Sequence, residues 1–170
     1  MRLVILVASA AALTGTLAAA PSSTAPAEDP LVTEGFDRVG CARRSILFMD
    51  LYDLSLFQRE DGASVIVMDV VHDGDLPKGL PSDWRPKLAT RIDRQTIDRI
   101  DAAFGMIEPH SRVEIAYAPE ANSSTMIIDG RPAVEVRQRA TYDAISDMWF
   151  GDDPIDEGVK DDILAGKCDL

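Results

Sequence analysis

Residues 46–57 read ILFMDLYDLSLF, a run so apolar that either face of an extended chain would be mostly buried. With period two, Ile46, Phe48, Tyr52, Leu54 and Leu56 share a face interrupted by Asp50, while Leu47, Met49, Leu51 and Phe57 share the other. Periodicity alone does not exclude a buried helix for so short an apolar run. The next segment narrows the choice. Residues 63–71, ASVIVMDVV, carry the Val and Ile content that favours a pleated chain, so they are expected to lie centrally in a sheet. His72-Asp73-Gly74-Asp75 then ends that strand.

Downstream the period changes. Ser82 or Asp83 can cap a helix carrying Trp84, Leu88, Ile92, Ile97, Ile100 and Phe104, with Pro86 tolerated in its first turn. The stride of five from Ile92 to Ile97 breaks one continuous stripe, so one helix and two helices parted near Asp93 are both compatible with the pattern. After Pro109 the chain alternates, with Val113, Ile115 and Tyr117 on one face. Residues 125–128 and 133–136 flank Asp129-Gly130, a dipeptide that accepts the positive φ angles of a tight hairpin turn. Thr141 is expected to cap a helix with Tyr142, Ile145 and Met148 or Trp149 inward, stopped by Gly151. A last helix is expected over 155–165, stopped by Gly166. Strands, helices, strands, helices in that order imply an α+β domain, an antiparallel sheet covered by helices on one side.

The amino terminus is of another kind. One basic residue, Arg2, an uncharged apolar run over 3–17 and a small-x-small site at Ala25-Pro26-Ala27 make a secretory signal over 1–27, with cleavage before Glu28 preferred to the second small-x-small site, Ala18-Ala19-Ala20, which would leave Pro21 at the new terminus. The run is too short and alanine-rich to span a bilayer, which takes about 20 strongly apolar residues, so no membrane span is expected after cleavage. Residues 28–34 read as a flexible leader and 35–170 as one domain, placed in the periplasm or outside the cell. Loss of Arg2 lowers 17 basic side chains to 16 against 29 acids, a net charge of -13. Such a surface repels phosphate backbones, so nucleic acid is not an expected partner. Cys41 and Cys168 survive cleavage. In an oxidising compartment they can form one long-loop disulfide worth ~4 kcal/mol, or remain two separate thiols.

Motifs with strong catalytic meaning are missing: the sequence holds no nucleophile elbow, Cys-x-x-Cys, helical His-Glu-x-x-His or phosphate-cradling glycine loop. Asp69, His72, Asp73 and Asp75 offer metal donors without calcium-loop spacing, and read more simply as a solvated turn. No metal and no cofactor is therefore expected. Asn122-Ser123-Ser124 matches a glycosylation sequon and locates a loop. The acids at Asp152, Asp153, Asp156, Glu157, Asp161 and Asp162 read as a solvated face. A more specific constellation is Arg43-Arg44 directly before the run that contains Tyr52. A guanidinium there can grip a carboxylate or phenolate through two parallel hydrogen bonds, with the Tyr52 hydroxyl adding a third. On physics alone the simpler account is two surface charges beside a strand and a tyrosine in the core.

Gly40-Cys41-Ala42-Arg43-Arg44, then LFMDLYDLSLF over 47–57, MIIDGRP over 126–132 and MWFGDDP over 148–154, in that order, resemble the chalcone-isomerase-like proteins exported by bacteria. The resemblance covers the chain from about Gly35 to Gly166. It implies an open-faced β-sandwich, a large antiparallel sheet backed by helices with a ligand cleft between them, and it makes 47–57 a strand. Plant chalcone isomerases close a flavanone ring by adding a phenolate to an enone, using an arginine beside the sheet and hydroxyls that stabilise enolate charge. The resemblance puts Arg43 at that arginine, after a glycine-containing turn, and Tyr52 where a threonine is usual. Tyrosine keeps a donor but fills more space, and the later tyrosine, lysine and asparagine of the plant site have no assignable counterparts. Other members of the fold bind fatty acids through the same arginine, and some mitochondrial relatives are linked to haem. The implied function is a noncatalytic binder of a small hydrophobic or amphipathic acid such as a fatty acid, with Arg43 as anchor, Tyr52 as second donor and no catalytic residue. The alternatives are an intramolecular lyase or isomerase acting on an enone, and an envelope protein-interaction module using the acidic face.

Overall fold

A computed structural model describes residues 33–168 and 170. The signal sequence expected over 1–27 and most of the leader expected over 28–34 lie outside them. Six strands, β1 (Asp37–Ile46), β2 (Met49–Gln58), β3 (Ser64–Val70), β4 (Arg112–Ala118), β5 (Ser123–Ile128) and β6 (Arg131–Val136), form one sheet in sequence order. Every pairing is antiparallel. The helices are α1 (Trp84–Leu88) and α2 (Arg94–Phe104), between β3 and β4, then α3 (Arg139–Phe150) and α4 (Glu157–Leu164) after β6. Among the described residues no helix is long and apolar enough to cross a membrane.

The register explains why the helices gather on one face. Leu56, Ile66, Ile115, Met126 and Val134 form one cross-strand row, and Ala42, Leu54, Met68, Val113 and Ile128 form the next. All ten are buried, against Trp84, Leu88, Ile97, Ile100, Ile145, Trp149, Val159 and Ile163 from the four helices. The intervening residues point to the other face, where Arg43, Asp53, Asp69 and Arg112 stand in a charged row. Each strand thus contributes alternate residues to one core, the pattern of a sheet covered on one side.

Three local expectations change. The apolar stretch 46–57 is not one strand: Leu47 and Phe48, with φ of 48° and 72°, turn the chain between β1 and β2. Gly40 and Arg43 do not lie at a turn before a strand but inside β1, a strand whose mixed polar sequence hides it. Finally, α3 starts at Arg139 with Gln138 as its flanking residue, two residues ahead of Thr141. The single-or-double helix question resolves as two, because the Asp93 side chain accepts from Thr96 N and starts α2 afresh. The Asp129-Gly130 hairpin forms with φ of 49° and 74°.

Gly40 sets how closely α4 approaches the β1 edge. A Cβ at Gly40 would lie 2.2 Å from the Ile163 carbonyl oxygen, so only glycine lets the helix end sit against the strand. Just beyond α4 the chain runs beside β1: Cys41 N donates to Lys167 O at 2.8 Å, and Cys41 is bonded to Cys168. The edge of the sheet is covered there by its own carboxyl-terminal segment.

Candidate functional site

At the end of the sheet, between the β1–β2 hairpin and α1, α2 and α3, the core opens into a cavity of about 530 Å³. That volume falls within the roughly 300–1,000 Å³ of ordinary small-molecule sites. Its floor is the last helix-facing row, Arg44 opposite Tyr52 opposite Val70. Its wall is aromatic: Trp84 meets Phe104 at 5.5 Å and Trp149 at 5.2 Å between ring centroids, both edge-on. Ile46 and Met49 from the hairpin, and His72, Leu76 and Pro77 from the segment after β3, complete the rim.

An irregularity in β2 shapes this end. Arg44 pairs with Tyr52 but Ser45 pairs with Asp50, so Leu51 is the extra residue of a bulge. Its carbonyl accepts from Val71 N and His72 N, which fastens the chain leaving β3 to the rim. Both Leu51 and Tyr52 consequently contact the cavity, although they are neighbours in sequence.

Of the polar side chains that line the cavity, Arg44, Trp84 and Trp149 are donors, Tyr52 and His72 can donate or accept, and Asp75 brings a carboxylate. Tyr52 Oη accepts from Trp149 Nε1 at 2.9 Å and from Arg44 Nη1 at 3.4 Å. Burial pushes the Tyr52 hydroxyl above its ordinary range, so it keeps its proton. With two donors already on the oxygen, that proton is the part of the group left to be given. Arg44 Nε and Trp84 Nε1 are buried with no hydrogen-bond partner. The nearest carboxylate oxygen to Arg44 Nε, on Asp156, is 4.0 Å away, close enough to feel its charge and too far for a hydrogen bond. An unmade buried hydrogen bond costs about 1–3 kcal/mol, and native folds leave few of them. Both belong to residues that line the apolar cavity, beside the protonated Tyr52 phenol.

The sequence-based anchor does not sit here. Arg43 lies on the opposite face of the sheet, where Nε and Nη2 grip the two oxygens of Asp53 at 2.6 and 2.9 Å and Nη1 reaches Asp50 at 3.2 Å. Its hydrogen bonds are spent on those carboxylates. The structure brings Tyr52 to the cavity, leaves Arg43 away from it, and puts Arg44 in the place expected of Arg43. Cys41 and Cys168 are joined on the far side of β1, away from the cavity. Trp84, Phe104 and Trp149 escaped the reading of single motifs; their signal was an aromatic on each of three helices, visible only once those helices meet.

The remaining sequence candidates separate. Asp69 turns to Arg112 Nη1 at 3.2 Å, and Asp73 to His110 Nε2 at 3.1 Å, both near the surface. Among the described residues no group of three or more His, Cys, Asp or Glu side chains could hold a metal ion. Asn122 stands in the turn before β5.

Comparison with known proteins adds two findings. The family described as Chalcone isomerase-like matches residues 74–165. Among solved structures, the crystal structure of a fatty-acid binding protein of Arabidopsis thaliana is similar in fold, with a TM-score of 0.56 and 14% identity over 77% of this chain and 87% of that one. No curated protein matches the chain in sequence.

Proposed function

The chain belongs to the chalcone isomerase-like family, and from that premise we propose that it is an exported, noncatalytic member that binds a small amphipathic carboxylate such as a fatty acid. The observation that carries the reading is that Arg44, Trp84 and Tyr52 together line one largely apolar cavity, and that Arg44 and Trp84 each hold a buried N–H with no partner. A carboxylate entering head first would take the guanidinium, the indole N–H and the Tyr52 proton, and lay its chain along Phe104, Met68 and Ile107. The anchor is Arg44, with Tyr52 as second donor. That the structural neighbour is a fatty-acid binding protein supports the ligand class. Residues 1–27 act as the export signal, and the Cys41–Cys168 bridge suits the oxidising compartment it leads to.

Protein purified without detergent is expected to carry a small acid in native mass spectrometry and to bind added fatty acids. Arg44→Met is expected to weaken that binding by at least about tenfold, the loss of one charge-assisted pair. Arg43→Met is the matched control and is expected to leave it within about twofold, because its guanidinium serves Asp53 and Asp50. The reading fails if the two variants behave alike. The same donor set would suit the oxyanion of a cyclising enone, so the isomerase alternative is assayed directly: chalcone absorbance is expected to persist in the presence of the protein.

A further inference from the structure

The β1–β2 turn is built from residues that a turn does not want. A two-residue hairpin with both central residues at positive φ is ordinarily Asn-Gly or Asp-Gly. Here the two are Leu47 at 48° and Phe48 at 72°, and a bulky side chain at such angles is a marked outlier. Nothing in the fold compensates for it, since Leu47 is 82% exposed and Phe48 104%, with Ile46 and Met49 beside them at 40% and 50%. Among the described residues the other large exposed apolar side chains, Met106, Leu164 and Leu170, stand apart from one another in sequence. Strain kept without an internal gain is the pattern of a functional contact.

The geometry limits what the contact is with. Four side chains on a two-residue turn offer a narrow wedge of a few hundred Å², well short of the roughly 800 Å² per partner of a stable protein interface. Charged and polar groups, Arg43, Ser45 and Asp50, begin immediately behind it. A narrow apolar tip with a polar collar matches shallow burial in a lipid interface, to a depth of about 5–10 Å. The formal net charge of -12 opposes an anionic surface, so the surface is a neutral one. The tip is also continuous with the cavity: Ile46 and Met49, paired with each other across the hairpin, belong to both.

We propose that residues 46–49 dip into a neutral, zwitterionic lipid surface and set the mouth of the cavity against it, so that an amphipathic carboxylate passes between bilayer and Arg44 without crossing bulk water. The ligand half of this statement rests on the function proposed above; the contact half stands on the turn alone. The contact is weak and reversible, since only four side chains enter.

Phe48→Trp in the full chain reads the contact. With wild-type fluorescence subtracted to remove Trp84 and Trp149, the added indole is expected to be quenched by phosphatidylcholine vesicles brominated high on the acyl chain, and not by the same lipid unbrominated. Leu47→Asn combined with Phe48→Gly supplies the turn its ordinary residues, so it is expected to fold with an unchanged or higher Tm. It is expected to slow transfer of a fluorescent fatty acid from vesicles by about fivefold or more, while binding of soluble decanoate without lipid stays within about twofold. An unquenched Phe48→Trp indole overturns the proposal, as does equal transfer by the double variant; so does an indole buried only when the protein self-associates, which would make a second copy the occupant. Quenching with no fatty-acid binding would leave the lipid contact in place and remove the cavity's ligand instead.

Discussion

Two adjacent arginines divide their work by the side of the sheet on which each falls. Arg44 shares the helix-facing row with Tyr52 and Val70, whereas Arg43, one residue earlier, is turned outward and bound by Asp53 and Asp50. Slipping one position exchanges a cavity-lining guanidinium for a surface ion pair, because side chains alternate along a strand. Trp84 tests the site from another direction. Trp84→Phe keeps a ring against Phe104 and Trp149 while deleting a buried N–H that has no partner. Lost ring volume and the removed orphan donor offset each other, so unfolding free energy is expected to change by less than about 1 kcal/mol. Affinity for a fatty acid is expected to fall about three- to tenfold if, as proposed, the carboxylate takes that N–H. Calorimetry of the free protein and titration with ligand separate the two effects; a large stability loss with unchanged affinity would make Trp84 a packing residue only. Tyr52 gives a pH signature. Burial raises its folded pKa above the unfolded value of about 10, so its contribution is complete below pH 10 and is lost as pH climbs toward the folded value, where the unfolded chain ionises first. Tyr52→Phe is expected to flatten the decline of stability above pH 10 without abolishing it, because Tyr142 is raised by burial in the same way.

At the scale of elements, the β1 edge depends on one missing methyl. Gly40→Ala would drive a Cβ into the Ile163 carbonyl, a backbone atom that cannot swing aside, so α4 must shift outward. A destabilisation of about 1–3 kcal/mol is expected, as for overpacking elsewhere, with amide exchange in residues 157–164 accelerated more than in β3 or β4. Uniform acceleration across the sheet would place the strain elsewhere. What could be read from sequence follows the same physics. β3 was legible from its Val and Ile content, β4 from the alternation of Val113, Ile115 and Tyr117, and the β5–β6 turn because Asp129-Gly130 needs the angles it adopts. β1 was not, since DRVGCARRSI mixes charges on an edge strand with a disulfide and a glycine contact that become intelligible only beside α4. The β1–β2 turn was hidden for the opposite reason: Leu47-Phe48 continues an apolar run and offers none of the usual turn residues. That omission fused β2 with the hairpin tip, removed β1 as its partner, and left the outward or inward sense of Arg43 and Arg44 undetermined. The Leu51 bulge compounded it, because a simple alternation carried back from Leu54 does not survive an extra residue at 51.

For the whole molecule the decisive fact is that Cys41 and Cys168 lie 127 residues apart, so one bond closes nearly the entire folded domain. The native state needs that bond least where the core is deep, and α4, only eight residues long with Val159 and Ile163 buried, needs it most. Cross-linking so long a loop restricts the unfolded chain by an amount worth ~4–5 kcal/mol in the chain-entropy account. Dithiothreitol is therefore expected to lower the urea midpoint sharply while leaving the slope of the transition less affected, and Cys41→Ser with Cys168→Ser should reproduce the shift without reductant. An unchanged midpoint would mean that the bridge holds only α4 and the last residues in place, not the domain. The comparison also reports on export. If residues 1–27 direct the chain out of a reducing cytosol, material recovered from the periplasm or medium should begin at Glu28 by intact mass and carry the bridge. Chain made without those residues should be reduced and unfold at the lower midpoint, an outcome that would tie the stability of the fold to export.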